Sequence, residues 1–217
     1  IVADKTDLFF LGFGTMNGSD GQPYKTREGG VMRLERLIGE INDAVREKMQ
    51  ENREFEQAES EEIARIIGLA ALKYADLSNQ ATKDYIFDLS RFTSFEGNTG
   101  PYILYTIVRI KPILNKYGKK PSGVIRFTGE KAEKDIMMQL SRFSEVIETA
   151  YHELAPHKIC AYIYDLANAF NVFYHGIRIL TQEDEEKKDS YLSLLALTRK
   201  ILEQCIELLG FSAPERM

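Results

Sequence analysis

Apolar residues recur every three or four positions along most of this chain, and this spacing constrains the fold more than any other feature of the sequence. An apolar residue at each helical turn lines one face of a helix. The clearest series are Val31, Leu34, Ile38, Ile41 and Val45; Ile136, Leu140, Phe143, Ile147, Ala150 and Leu154; and Ile159, Ile163, Leu166, Phe170 and Phe173. The sequence therefore predicts several amphipathic helices that pack against one another to cover their apolar faces.

Residues that favour helix ends place several of the boundaries. Ser60, followed by two acidic residues, begins a helix that should run to about Tyr74. Thr99 is a capping residue and Pro101 follows in the first turn of the next helix. Gly210 ends the last helix. The series from residue 136 to residue 154 predicts one continuous helix.

The first thirty residues follow a different pattern. A short apolar run at residues 8–11 and a turn signal at residues 17–21 predict a β-hairpin. Residues 84–89 alternate partly and predict a short strand, whereas residues 119–129 contain Pro and Gly and predict a linker. The predicted fold class is mainly α: an antiparallel helical bundle over residues 93–217, preceded by a small α/β part over residues 1–92.

Composition excludes several classes of protein. The net charge of −5 argues against a protein that binds polyanions regardless of their sequence, and no DNA-binding role is expected. No apolar run approaches ~18 residues, so no membrane span is expected. Cys160 and Cys205 lie in apolar helical series and are expected to be free, buried thiols in a cytoplasmic protein. The three histidines lack the spacing of metal ligands, so no metal site is expected.

A basic window stands out against the negative total charge. Six lysine and arginine residues and no acidic residue lie between Arg109 and Arg126. Such a window is either a solvated face or a contact for a phosphate backbone. Because Pro112 should kink or end the helix near Lys111, Lys116 is expected to leave the face on which Arg109 lies.

Two tyrosines share a helix face with this basic window. At 100° per residue, Tyr102, Tyr105 and Arg109 fall within roughly 60° of one another. Cations bind phosphates, and tyrosine rings stack on unpaired bases for ~1–3 kcal/mol per base. The face is therefore a candidate for single-stranded RNA. The alternative is that both tyrosines are half-buried and hydrogen-bonded within the protein.

A second candidate lies in residues 24–30, YKTREGG. Lys25 and Arg27 bracket Thr26, and two glycines follow. Such a loop can clamp a phosphate whose charge develops during a reaction, although the composition also fits a charged turn. No phosphate-binding loop of the Walker type and no dinucleotide-binding glycine spacing is present.

Four motifs, in order, resemble arginyl-tRNA synthetases of class I. Residues 12–16 leading to residues 25–30 are similar to the family's signature loop. Residues 96–105, EGNTGPYILY, are similar to the start of its anticodon-binding domain. Residues 164–174, YDLANAFNVFY, resemble the central helix of that domain, and residues 208–211 with 214–217 resemble the family's C-terminus. The resemblance covers almost the whole chain and implies a C-terminal fragment: the signature loop and the helical anticodon-binding domain.

The resemblance also implies roles for individual residues. Lys25, Thr26 and Arg27 would lie on the loop that closes over ATP and stabilises pyrophosphate, although the second lysine of the usual class I loop is missing, so which cation dominates stays open. The residues implied to bind the tRNA anticodon loop, or to support it, are Tyr102, Tyr105, Arg109, Asn168, Phe170, Asn171 and Met217.

The complete enzyme would join arginine to tRNA(Arg) with ATP and Mg²⁺, in the cytoplasm and as a monomer. The family's ATP-gripping histidine turn and arginine pocket are not found in this sequence, so this fragment alone is expected to be inactive and to bind no cofactor. Two alternatives stay open. One is the same module from another class I synthetase, such as that for cysteine or methionine. The other is a non-catalytic helical module for protein partners, which would expose an apolar patch instead of a tyrosine–cation face.

Overall fold

The computed structural model describes residues 9–18, 21, 33–50 and 56–217. Helices dominate this part of the chain, as the apolar spacing predicts. The helices are α1 (Leu34–Gln50), α2 (Gln57–Leu77), α3 (Leu89–Phe92), α4 (Gly100–Tyr117), α5 (Lys131–Ser141), α6 (Phe143–His152), α7 (Pro156–Gly176) and α8 (Glu185–Leu208). Residues 119–129 form the predicted linker without regular structure.

The described sheet is a parallel pair of very short strands. Strand β1 (Met16–Asn17) pairs with β2 (Tyr85–Ile86), with Met16 opposite Tyr85. The strand predicted within residues 84–89 is thus confirmed, although it is shorter. The partner of β1 is not the one that the predicted hairpin requires. The second arm of that hairpin, residues 23–25, lies outside the described residues.

The apolar faces meet in one continuous core. Helix α2 packs on α1 on one side and on α4 on the other, and α4 also packs on α7 and α8. Helices α5 and α6 cover the opposite part of α7. The approach of α2 to α4 is close, because a Cβ atom at Gly100 would lie 2.3 Å from the Ala70 carbonyl oxygen. Glycine therefore permits the contact that joins the first helices to the bundle.

Three helices differ from their predicted bounds. The predicted helix over residues 136–154 is two helices, α5 and α6, which meet at Arg142, and the Arg142 backbone N–H donates to the Gln139 carbonyl three residues back instead of four. Helix α2 begins before Ser60, at Gln57, and ends after Tyr74, at Leu77. Helix α4 does not end at Lys111 but continues through Pro112. Pro112 borders an open cleft, so the hydrogen bond that it removes lies beside solvent.

Both cysteines are free and buried, which confirms the prediction. Burial raises the pKa of each thiol, Cys160 and Cys205, to about 12. Within the described residues, no helix is both long enough and apolar enough to cross a bilayer.

Candidate nucleic-acid interface

A cleft of about 660 Å³ opens between α4, α7 and the segment that follows α7. Three cationic side chains, Arg109, Lys116 and Arg178, line it, and no acidic residue is found among its described lining residues. Tyrosine rings and apolar side chains complete the walls. The remaining lining residues are Tyr105, Val108, Pro112, Ile113, Tyr174, Ile177, Ile179, Leu180, Thr181 and Met217.

Helix α4 is fixed at its first turn. The Thr99 hydroxyl accepts a hydrogen bond from the backbone N–H of Tyr102 at 3.2 Å and donates one to the Ser94 carbonyl at 2.6 Å. Ile103 and Ile107, on the opposite side of the helix from Tyr105, are fully buried. Capping and burial together set the rotation of α4 and turn Tyr105 towards the cleft.

Arg109 lies between two aromatic rings in the cleft wall. Its guanidinium carbon is 4.5 Å from the ring centre of Tyr105 and 5.3 Å from that of Tyr174. Its Nη2 donates to the Tyr105 hydroxyl at 2.7 Å. Tyr105 itself is 39% exposed, so its ring can be reached from solvent. The stack holds a positive charge and a flat surface in one place, which suits a nucleotide.

Tyr102 is held by hydrogen bonds within the protein instead. Its hydroxyl donates to Asn168 Oδ1 at 2.6 Å and accepts from Asn171 Nδ2 at 2.8 Å. Asn171 Oδ1 in turn accepts from Arg109 Nη1 at 3.2 Å. Burial raises the pKa of the Tyr102 phenol. The half-buried, hydrogen-bonded alternative is therefore correct for Tyr102, and this network orients Arg109.

Of the two roles that the resemblance implies for Phe170, contact with the anticodon loop or support of it, only support fits its side chain. The residue is fully buried, and its ring stacks on Tyr174 with centres 5.8 Å apart and planes tilted by 26°. It occupies a core-facing position of α7, so it supports the Tyr174 ring from behind.

The basic window does not form a single face. Lys111 is buried, and Arg126 pairs with Glu186 on α8. Lys116, by contrast, remains beside Arg109 in the cleft because α4 continues past Pro112. The prediction that Lys116 leaves the face is therefore wrong.

Sequence reasoning missed two of the aromatic and charged residues that line the cleft, Tyr174 and Arg178. Tyr174 lies four residues after Phe170 and three after Asn171, so its helical position beside the predicted residues was a usable signal. Arg178 lies in an irregular segment after α7 and comes to the cleft through the path of the chain, which no local pattern predicts.

Lys25, Thr26 and Arg27 lie outside the described residues. The segment that precedes them is docked on the residues just before β2: the Gly14 N–H donates to the Ala81 carbonyl at 2.8 Å and the Thr15 N–H donates to Asp84 Oδ1 at 2.7 Å. Hydrogen bonds from the backbone and the side chain of Thr15 lower the pKa of the Asp84 carboxyl. Within the described part of the chain, no group of three or more His, Cys, Asp or Glu residues could hold a metal ion.

Comparison with known proteins identifies the class of protein to which this fold and cleft belong. Residues 103–217 match the family described as the DALR anticodon binding domain, and residues 1–89 match the family described as tRNA synthetases class I (R), catalytic domain. The cationic, tyrosine-lined cleft lies within the first of these matches. The fold and the cleft thus define a helical anticodon-binding domain of the class I synthetase type.

The relatives narrow the class to one family. The chain is 58% identical to arginine–tRNA ligase of Agathobacter rectalis and 56% identical to that of Alkaliphilus oremlandii, over its whole length and 38% of theirs. The arginyl-tRNA synthetase structure of Thermus thermophilus superposes with a TM-score of 0.84 at 27% identity, over 95% of this chain and 35% of that one. The chain belongs to the DALR anticodon-binding family, in the form found in arginyl-tRNA synthetases.

Proposed function

We propose that this chain supplies the anticodon-loop binding surface of an arginine–tRNA ligase. The observation that carries the proposal is the cleft, in which Arg109, Lys116 and Arg178 gather without an acidic neighbour among the described lining residues. Phosphates of an RNA loop would lie against these cations, and an unstacked base would lie on the exposed ring of Tyr105. Tyr102, Asn168 and Asn171 position Arg109, whereas Met217 contributes to the wall.

The activity proposed for the whole protein is that of the relatives: ATP, L-arginine and tRNA(Arg) give arginyl-tRNA, AMP and diphosphate. The chain spans 38% of the length of its curated relatives. On this proposal ATP with Mg²⁺ binds where Lys25, Thr26 and Arg27 approach the phosphates. Their role rests on the sequence resemblance, and this chain alone is expected to form no arginyl-adenylate.

The proposal includes a division into two parts. Residues 1–92 would be the end of the catalytic domain and residues 93–217 the anticodon-binding domain. The exposed rings of Phe9, Phe10 and Phe13 support the assignment of residues 1–92 to a catalytic domain, because packing against the rest of such a domain would cover them. We also propose a cytoplasmic, monomeric protein, in keeping with two free, buried cysteines. Sedimentation of the full-length protein tests the monomer.

The experiment that tests RNA binding compares two tyrosines in the full-length enzyme. Tyr105→Ala removes the exposed ring of the cleft, whereas Tyr151→Ala removes a tyrosine that is 75% exposed on α6 and does not line the cleft. Loss of one stacked base, ~1–3 kcal/mol, should raise KM for tRNA about 5- to 150-fold in Tyr105→Ala. KM for arginine should change little in either variant. Equal tRNA kinetics in both variants would refute the proposed site.

The proposed loop is tested separately, by single-turnover adenylation. The double variant Lys25→Ala, Arg27→Ala in the full-length enzyme should form adenylate more slowly while its affinity for tRNA is retained. An unchanged adenylation rate would remove the loop from the proposal and leave the cleft untouched.

A further inference from the structure

A buried lysine in α4 requires an explanation. Lys111 is only 5% exposed. A charge that is buried without partners is strongly destabilising, so a buried ammonium has to be hydrogen-bonded. Its Nζ donates to the Pro214 carbonyl oxygen at 2.9 Å and to Glu215 Oε1 at 2.8 Å. Both acceptors belong to one segment, residues 211–217, which follows α8.

This segment has a second, weaker anchor on α2. The Arg216 guanidinium forms a two-pronged ion pair with the Glu59 carboxylate. Both side chains are substantially exposed, and exposed pairs contribute at most about 1 kcal/mol. Lys111 is the stronger anchor of this pair, because its Nζ is buried and its hydrogen bond to the Pro214 carbonyl is shielded from water, even though the Glu215 carboxylate is itself exposed.

The anchored segment ends at the cleft. Met217 follows Glu215 by two residues and lines the cleft together with Arg109. Arg109 and Lys111 lie on the same helix, α4. Helix α4 thus presents Arg109 to the cleft. Two residues later, Lys111 holds the segment whose last residue, Met217, lines the neighbouring wall of the cleft.

We propose that Lys111 is a positioning residue for RNA binding, which acts by docking residues 211–217 and thereby holding Met217 in the cleft wall. The inference rests on the proposed function and deepens it. Lys111 makes no contact with RNA on this account. Its loss should weaken binding only through the displacement of Met217, and the stack of Arg109 on Tyr105 should persist.

The first test measures binding of a tRNA transcript that carries an arginine anticodon. Lys111→Leu replaces the ammonium by an apolar side chain, a kind of change that buried sites often tolerate. Its Kd should rise about tenfold, as expected for the loss of one well-seated contact worth roughly 1.4 kcal/mol. Lys134→Leu, at an exposed lysine of α5 outside the cleft lining, controls for the change in charge and should alter Kd less than about twofold.

A double-mutant cycle separates positioning from general damage. Met217→Ala should also weaken binding, and adding Lys111→Leu to it should change Kd no further, because both act through one side chain. An equal loss from Lys111→Leu in both backgrounds would overturn the proposal. So would an unchanged Kd in Lys111→Leu while Tyr105→Ala weakens binding, whereas no effect of either variant would instead reject the proposed function.

Methyl NMR of the protein labelled on its methionines shows independently whether the Met217 side chain is packed in the cleft wall. The Met217 methyl signal, assigned by its loss in Met217→Ala, should move to the position of a solvated methionine in Lys111→Leu. Lys111→Arg keeps the charge and the donors and should retain the native signal. Should Lys111→Leu fail to fold, Lys111→Gln is measured in the same way. A native Met217 signal in a folded variant without the lysine would contradict the inference.

Discussion

Gly100→Ala tests whether the close contact between α2 and α4 stabilises the folded protein. The added Cβ would lie 2.3 Å from the Ala70 carbonyl oxygen and 2.6 Å from its carbonyl carbon, both backbone atoms. Ordinary contact begins near 3.4 Å, so the helices would have to separate by about 1 Å. Helices packed through their backbones cannot relieve this clash by rotating a side chain.

The expected loss follows from two opposed effects. Overpacking of a filled interface costs about 1–3 kcal/mol. Replacing glycine by alanine in a helix gains at most about 1 kcal/mol, and less in the first turn. The net loss should therefore be about 1–2 kcal/mol. With a slope near 2 kcal/mol per molar urea, the unfolding midpoint should fall by about 0.5–1 M.

Gly39→Ala is the matched control. Gly39 lies within α1, and a Cβ there would meet nothing within 4 Å. This variant should keep or raise the urea midpoint, because the helix gains without a clash. If Gly100→Ala unfolds at or above the wild-type midpoint, the close approach of α2 and α4 is not as the structure has it.

Two further predictions concern titratable groups. Hydrogen bonds from Ser122 lower the folded-state pKa of Asp189, so its stabilisation is present above the unfolded pKa of about 3.9 and is lost as pH falls through the lower folded value. Asp189→Asn should reduce stability to urea at pH 7, and its difference from wild type should shrink below about pH 4; a pH-independent difference would count against this. Because the thiols of Cys160 and Cys205 have pKa values of about 12, a disulfide reagent at pH 8 should label neither until the protein is unfolded; rapid native labelling would show that they are exposed.

Features that depend on one helix could be predicted from the sequence. Tyr105 and Arg109 are four residues apart, so helical geometry alone places them side by side. Thr99 and Pro101 marked the start of α4 for the same local reason, and the structure confirms both. The burial of individual side chains could be predicted only in part. The apolar periodicity placed Ile103 in the core but gave no reason to place Lys111 there.

Features that depend on several segments could not be predicted in this way. The cleft is formed by α4, α7, the segment containing Arg178 and the segment containing Met217, and no local sequence pattern predicts the distances between them. The resemblance to a family supplied Met217, but it also supplied Phe170, whose side chain is buried. A shared motif identifies a helix reliably, whereas the face of each residue depends on packing.

On the proposed function, the geometry of the cleft also lowers the cost of ordering Arg109 when RNA binds. Arg109 is held by an amide on one side and by the rings of Tyr105 and Tyr174, so little of its rotational freedom remains to be lost on binding. A free arginine on a helix surface would have to surrender up to ~2 kcal/mol of side-chain entropy to contact a phosphate. On the proposed function, Tyr102 and Asn171 would therefore affect binding through this prior ordering of Arg109. The half-buried Tyr102 and the more exposed Tyr105 would thus serve the same site by different means.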